Sequence, residues 1–218
     1  MSYLICRDLK AKTVDTLLSI GLGIGLSAAC GFRVFVPLLI ASIMGVTGWL
    51  PLASEGTGWI ATWPALITFA TATILETLGY FIPWLDHILD TVATPAAVVA
   101  GVLVSASTMV DLPPLTRWTV ALIAGGGIAG LVQATTVVAR AKSTLTTAGV
   151  GNPIVAAGEL AGSVITSILA ILFPLAALVL VLLGVVALFR LRRHLRQRKE
   201  AHAPPQKGEV RHEEGRTQ

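Results

Sequence analysis

Apolar residues in this chain gather into five long runs, at about 14–46, 60–82, 95–110, 117–139 and 153–189. None alternates with a period of two, so the pattern predicts helices and sets a transmembrane barrel aside. A helix needs about 20 residues to cross about 30 Å of hydrocarbon. At about 1.5 Å per residue, the first run would make a helix about 50 Å long and the last one about 55 Å. Each must therefore break, tilt strongly or fold back. Gly31 and Pro37 are the break signals in the first run. Pro174 is the signal in the last, because its ring removes a helix hydrogen bond. The expected fold is all-α: a polytopic transmembrane helical bundle of about six spans with broken or re-entrant helices. The spans read as 14–33 with a partly re-entrant continuation to 48, then 60–82, 95–110, 117–139, 153–173 and 174–190. Thr94-Pro95 and Asn152-Pro153 read as a cap followed by the first helical position.

Charge sharpens this picture. Only 13% of the 218 residues are charged and the mean hydropathy is +0.78, whereas soluble domains carry about 25% charged residues. Of 16 Lys and Arg, three lie in the first twelve residues and nine lie from Arg190 onward. Residues 1–13 thus form a basic segment, 14–190 the membrane domain, and 191–218 a tail that is basic and then polar and disordered. The positive-inside rule places both ends in the cytoplasm, as expected of a multi-pass protein of a bacterial inner membrane. The same bias places the loop with Arg140 and Lys142 inside and Glu55 outside. Trp49, Trp59, Trp63 and Trp118 then form an outer aromatic belt, with Tyr80 and Trp84 at the inner interface. The basic run Arg190–Lys199 directly follows an apolar run. That position makes it a stop-transfer anchor near anionic lipid, with no nucleic-acid partner implied. Cys6 and Cys30 offer neither a disulfide framework nor metal-ligand spacing. Ser27-Ala-Ala-Cys30 approaches a lipoprotein cleavage box. Ser27 stands where leucine is normal, and the chain continues apolar, so retention as a first span is expected.

Glycines spaced by four occur at Gly21/Gly25, Gly126/Gly130 and Gly158/Gly162. Such pairs let helices approach closely where lipid supplies no hydrophobic drive, and they leave a homo-oligomer open. The run Gly125–Gly130 follows no strand, so it is not a nucleotide loop.

The candidate chemistry lies in ionisable residues within apolar runs: Arg33, Glu76 and Glu159. Each costs several kcal/mol in hydrocarbon unless paired or wetted. Glu76 and Glu159 are flanked by small residues, and Arg33 is the natural counter-charge for one of them. The functional reading is a polar site for an ion, a proton or a small anion. The plain alternative is a structural buried ion pair. Arg140 and Lys142 read as interfacial. Asp86, His87 and Asp90 could hold a divalent cation, but such a group is more often the wet face of an interfacial helix, and no metal is assigned. Gly149, Gly151 and Asn152 belong to a hydroxyl-rich turn before Pro153, able to serve an ion or a broken helix end. Arginine precedes a glutamate-bearing helix in both halves (Arg33 then Glu76, Arg140 then Glu159), a loose sign of an inverted repeat. No zinc-protease or Gly-x-Ser-x-Gly signature occurs, so neither an enzyme nor a cofactor is expected.

Four segments carry a resemblance: Gly25-Leu-Ser-Ala-Ala-Cys-Gly-Phe-Arg-Val-Phe-Val-Pro-Leu39, Tyr80-Phe-Ile-Pro-Trp-Leu-Asp86, Asp90-Thr-Val-Ala-Thr-Pro-Ala97 and Gly149-Val-Gly-Asn-Pro153. In these the chain resembles a bacterial membrane-protein family catalogued as domain of unknown function 4126, over about residues 15–175. The resemblance implies a compact multi-span domain and transfers no activity. Two functions stay in view. One is a small transporter or channel whose broken helices bring Arg33, Glu76, Glu159 and the Gly149–Pro153 turn together. The other is a scaffold or partner subunit that assembles through its glycine faces.

Overall fold

The computed structural model describes residues 2–53, 55–80 and 82–201, and their side chains except those of 2–11, 83–87, 191–192 and 194–201. The expected disorder of the last residues concerns 202–218, which lie outside this range. The chain divides into Met1–Val181 and a smaller unit, Leu182–Gln218. No strand occurs among the described residues. The helices are α1 (Ser2–Cys30), α2 (Phe35–Val46), α3 (Trp63–Gly79), α4 (Pro83–Thr108), α5 (Pro114–Val120), α6 (Gly127–Thr147), α7 (Asn152–Leu172) and α8 (Pro174–Ala201). A 3-10 turn (Gly58–Ala61) precedes α3, and a π-helical segment (Ala121–Gly126) joins α5 to α6.

Four stretches are long and apolar enough to cross a membrane: Lys12–Cys30, Ile88–Thr108, Pro114–Thr147 and Asn152–Leu172. Phe35–Val46 and Pro174–Arg190 are apolar but shorter. This is fewer than the six expected spans. The helix over 60–82 is trimmed at both ends to the 17 residues of α3, about 25 Å at 1.5 Å per residue.

Large apolar side chains point outward. Ile67, Leu75, Leu78, Val99, Ile123, Ile165 and Leu172 are all exposed, while much of the interior is Ala, Gly and Ser. A soluble bundle sorts its residues the other way. The small residues let backbones touch. At Gly25 a Cβ would sit 2.6 Å from the Ala170 Cβ, and at Gly101 it would sit 2.5 Å from the Ala129 Cβ. Gly126 and Gly130 press on Val98, and Gly21 presses on the Pro174 carbonyl. Gly158 meets nothing within 4 Å, and Gly162 makes only ordinary contact with Phe32. Of the three glycine pairs, therefore, only the first two form close contacts within the chain.

The breaks fall close to where the sequence signals them. α1 stops at Cys30, where a Cβ on Gly31 would strike the Ala129 carbonyl at 2.6 Å and the Val132 Cβ at 2.5 Å. Pro37 falls in the first turn of α2, where its missing N–H costs nothing. Pro174 opens α8. The α6–α7 connection turns through left-handed Ala148 (φ 50°) and Gly149 (φ 88°). One boundary is misplaced by the sequence reading. α4 starts at Pro83 and carries Pro95 in its interior, so Thr94-Pro95 does not open a helix.

Helix directions overturn part of the expected topology. Gly23 packs on Thr108, and Ser27 Oγ donates to the Gly101 carbonyl at 2.7 Å, so α1 and α4 are antiparallel. Gly25 meets Ala170, Ser163 Oγ donates to the Ala29 carbonyl at 3.0 Å, and Arg33 reaches the Ala156 carbonyl, so α1 also opposes α7. The start of α1 is thus at the opposite end of the bundle from the 148–151 connection, whereas the sequence reading puts the two on one side. The difference arises at α2, which turns back along α1 where the sequence reading counts it as a continuation of the first span. α6 also opposes α4, since Gly125 faces Gly101 while Gly130 faces Val98. The arginine-bearing helical segments, α1 with its terminal turn and α6, therefore run in the same sense. α2 turns back from α1, with Ser42 Oγ bonded to the Ile60 carbonyl at one end and Val34 N to Glu76 at the other, so α3 runs with α1 and against α7. An inverted repeat would reverse both pairs, and these directions do not fit one.

Candidate functional site

The α1–α2 turn, the C-terminal end of α3, the start of α4, the latter part of α6 and the first half of α7 converge on one polar cluster. Its members are Arg33, Glu76, Tyr80, Asp90, Arg140 and Glu159. Arg33, Glu76, Arg140 and Glu159 are each 1–6% exposed.

Arg140 is fully engaged. Its Nε donates to Glu159 Oε1 at 3.1 Å and its Nη2 to Glu159 Oε2, a two-pronged carboxylate grip. Its Nη1 lies 3.2 Å from Asp90 Oδ1. Tyr80 donates its hydroxyl to the same Asp90 oxygen at 3.3 Å. The Tyr80 ring lies 3.7 Å below the Arg140 guanidinium carbon, where the ring's quadrupole favours a cation.

Arg33 lies 4.1 Å from the centroid of that ring, so two cations share one aromatic ring. Its Nη2 donates to the Ala156 carbonyl at 2.9 Å and stands 4.0 Å from Glu159 Oε2. Its Nε and Nη1 have no hydrogen-bond partner, although the side chain is 1% exposed. A buried donor left unmade costs about 1–3 kcal/mol, and more on a charged group.

Glu76 plays another part. Val34 N donates to its Oε1 at 2.9 Å and Phe35 N to its Oε2 at 3.2 Å. A carboxylate from α3 thus satisfies the orphan amides at the start of α2, where the helix dipole also favours negative charge. The sequence explains why a partner is needed, since no side chain of the 31–35 turn caps α2.

A line of hydroxyls leaves the cluster along α7. Ser163 lies one turn beyond Glu159, and Ser167 one turn further. Ser167 is fully buried and its Oγ has no partner. At the opposite end, Arg117 Nη2 donates to the Glu55 carbonyl at 2.9 Å and pins the loop before α3 onto α5.

The structure brings Arg33, Glu76 and Glu159 together, as the charge argument expects. It leaves the Gly149–Asn152 turn to another task. Asn152 Nδ2 donates to Thr144 Oγ1 at 3.0 Å, and a Cβ on Gly151 would meet Ser143 Oγ at 2.7 Å. Two expectations fail. Arg140 is buried, not interfacial, because α6 runs on to Thr147 and its buried stripe Ala129–Gln133–Thr136–Arg140 keeps helical spacing. Tyr80 is in the core and forms no belt, while Trp49, Trp59 and Trp63 are exposed. The Arg140 stripe is the signal that sequence reasoning passes over. Asp90 pairs with Arg140, and the side chains of Trp84, Asp86 and His87 lie outside the described set. Among the described residues no group of three or more His, Cys, Asp or Glu could hold a metal.

A family model described as "Domain of unknown function (DUF4126)" matches residues 20–194, reaching further into the basic tail than the resemblance read from the sequence. No curated protein and no solved structure matches the chain.

Proposed function

The chain belongs to the family of domain of unknown function 4126, and we propose that it is a small carrier or channel spanning a bacterial inner membrane. Its solute or ion engages Arg33, Glu76 and Glu159. Four long apolar helices and an outward-facing apolar surface support placement in the bilayer. Nine of the 16 Lys and Arg from Arg190 onward support a cytoplasmic tail. One observation carries the carrier reading: Arg33 is buried at a helix break with its Nε and Nη1 unpartnered. Broken helices that expose amides beside a partly satisfied charge are a recurrent way to hold solutes inside membranes. Purified protein in liposomes is expected to move a solute, and both Glu76→Gln and Glu159→Gln are expected to insert but lose that flux. Wild-type rates in both variants would remove these residues from the pathway.

A second reading is a scaffold subunit. Gly158 favours it, because that position is exposed with nothing within 4 Å and so leaves room for a helix of another chain. Gly158→Leu would then dissolve a complex that survives in mild detergent, which a size measurement on wild type and variant decides.

A further inference from the structure

We propose that Asp90 is a proton-binding site of this protein, taking up one proton near neutral pH and so bringing the buried cluster to zero charge. The carrier reading assigns Asp90 nothing, and the inference does not depend on transport.

Charge balance asks for such a group. Among the described side chains, the cluster sets the carboxylates of Glu76, Asp90 and Glu159 against the guanidiniums of Arg33 and Arg140. One negative charge is in excess, and apolar surroundings make such an excess expensive. A proton on one carboxylate removes it, and the geometry decides which. Glu76 accepts from Val34 N on one oxygen and from Phe35 N on the other. Glu159 accepts from Arg140 Nε on one oxygen and from Nη2 on the other. A proton on either residue would put an O–H where an N–H already points. Asp90 differs, because the Tyr80 hydroxyl and Arg140 Nη1 both go to its Oδ1. With a proton on Oδ2, Oδ1 becomes a carbonyl oxygen whose two lone pairs keep both donors. Arg140 also loses least here, since Glu159 still grips it with two prongs.

Access agrees with this choice. The Asp90 side chain is 16% exposed, against 6% for Glu159. Asp90 is the third residue of the Ile88–Thr108 span, about 3 Å from its start. Uptake forms one O–H bond with a proton from water, and no other covalent bond changes. The charged and titratable groups around Asp90 are Glu76 and Tyr80 on α3, Arg33 on the α1–α2 turn, Arg140 on α6 and Glu159 on α7. On α4 itself the side chains of Asp86 and His87 lie outside the described set, so both enter the test.

Infrared difference spectra of detergent-purified full-length protein, pH 5.5 minus pH 8, read the proton directly. Wild type is expected to gain the C=O band of a buried carboxylic acid, shifted in heavy water. Asp90→Asn should lose the band, whereas Glu76→Gln, Asp86→Asn and His87→Ala should keep it. Tyr80→Phe removes one hydrogen bond from the Asp90 carbonyl and should move the band to higher frequency. That shift identifies the acid even if Asp90→Asn does not fold. A proton held by the folded protein and not by the unfolded chain adds stability as the pH falls. Asp90→Asn should therefore melt about 2–4 °C above wild type at pH 8, with the gap closing at pH 5.5. No band in wild type, a band that survives Asp90→Asn, or one unmoved by Tyr80→Phe overturns the site. So does an Asp90→Asn protein that melts below wild type at both pH values.

Discussion

Two arginines share the Tyr80 ring, and the halves of the cluster built around them differ. On the Arg140 side two carboxylates and a ring engage the guanidinium. On the Arg33 side a single carbonyl accepts from it, at 2.9 Å, Glu159 stands 4.0 Å away, and Glu76 spends itself on backbone amides. Both are buried, so solvent does not explain the difference. A paired charge resists change. A partly satisfied one is held in place by its neighbours and has capacity for something else.

Stability measurements can break this contrast. Arg140→Leu leaves Glu159 and Asp90 facing each other without their cation. Removing one partner of a buried pair costs about 3–5 kcal/mol. We expect the largest loss of detergent melting temperature here, partly recovered in Arg140→Leu with Glu159→Leu. Arg33→Met should cost less, about 1–3 kcal/mol, because one charged hydrogen bond is lost and two unmade donors disappear with it. If Arg33→Met is as damaging as Arg140→Leu, the two halves are equivalent and the contrast fails. Outside the cluster, Gly25→Ala drives a methyl to 2.6 Å from Ala170 and should cost about 1–3 kcal/mol. At open Gly158, alanine should stabilise slightly, by about 0.5–1 kcal/mol, through helix propensity. A matched loss at both glycines would mean that Gly158 has a covered face in the protein as purified.

The contrast also marks what could be read from the sequence. Arg33, Glu76 and Glu159 stand out because each is isolated in apolar chain, and hydrocarbon demands a partner for each. Arg140 hides behind Lys142, which is exposed. Two nearby cations resemble a loop, and only the 129–133–136–140 stripe argues otherwise. Tyr80 hides because an amphipathic ring suits an interface as well as a cation. The breaks at Gly31 and Pro174 were legible from backbone chemistry. The sense of α1 was not, since small residues pack equally well either way. Glu76 as a cap on another helix leaves no local trace, for its two amides are some 40 positions away in the chain.

The π-helical stretch Ala121–Gly126 has a consequence for the cluster. A wide turn of this kind accommodates one residue more than an α-helix needs and so absorbs about 100° of sequence phase without turning what lies downstream. Arg117 and Arg140 both face inward across it. Shortening the stretch by one residue would relax the wide turn and leave both inward faces aligned. Lengthening it by one would wheel Gln133, Thr136 and Arg140 toward the lipid. Tolerance of insertions and deletions along this long helix should therefore be lopsided, with the loose turn acting as its phase adjuster.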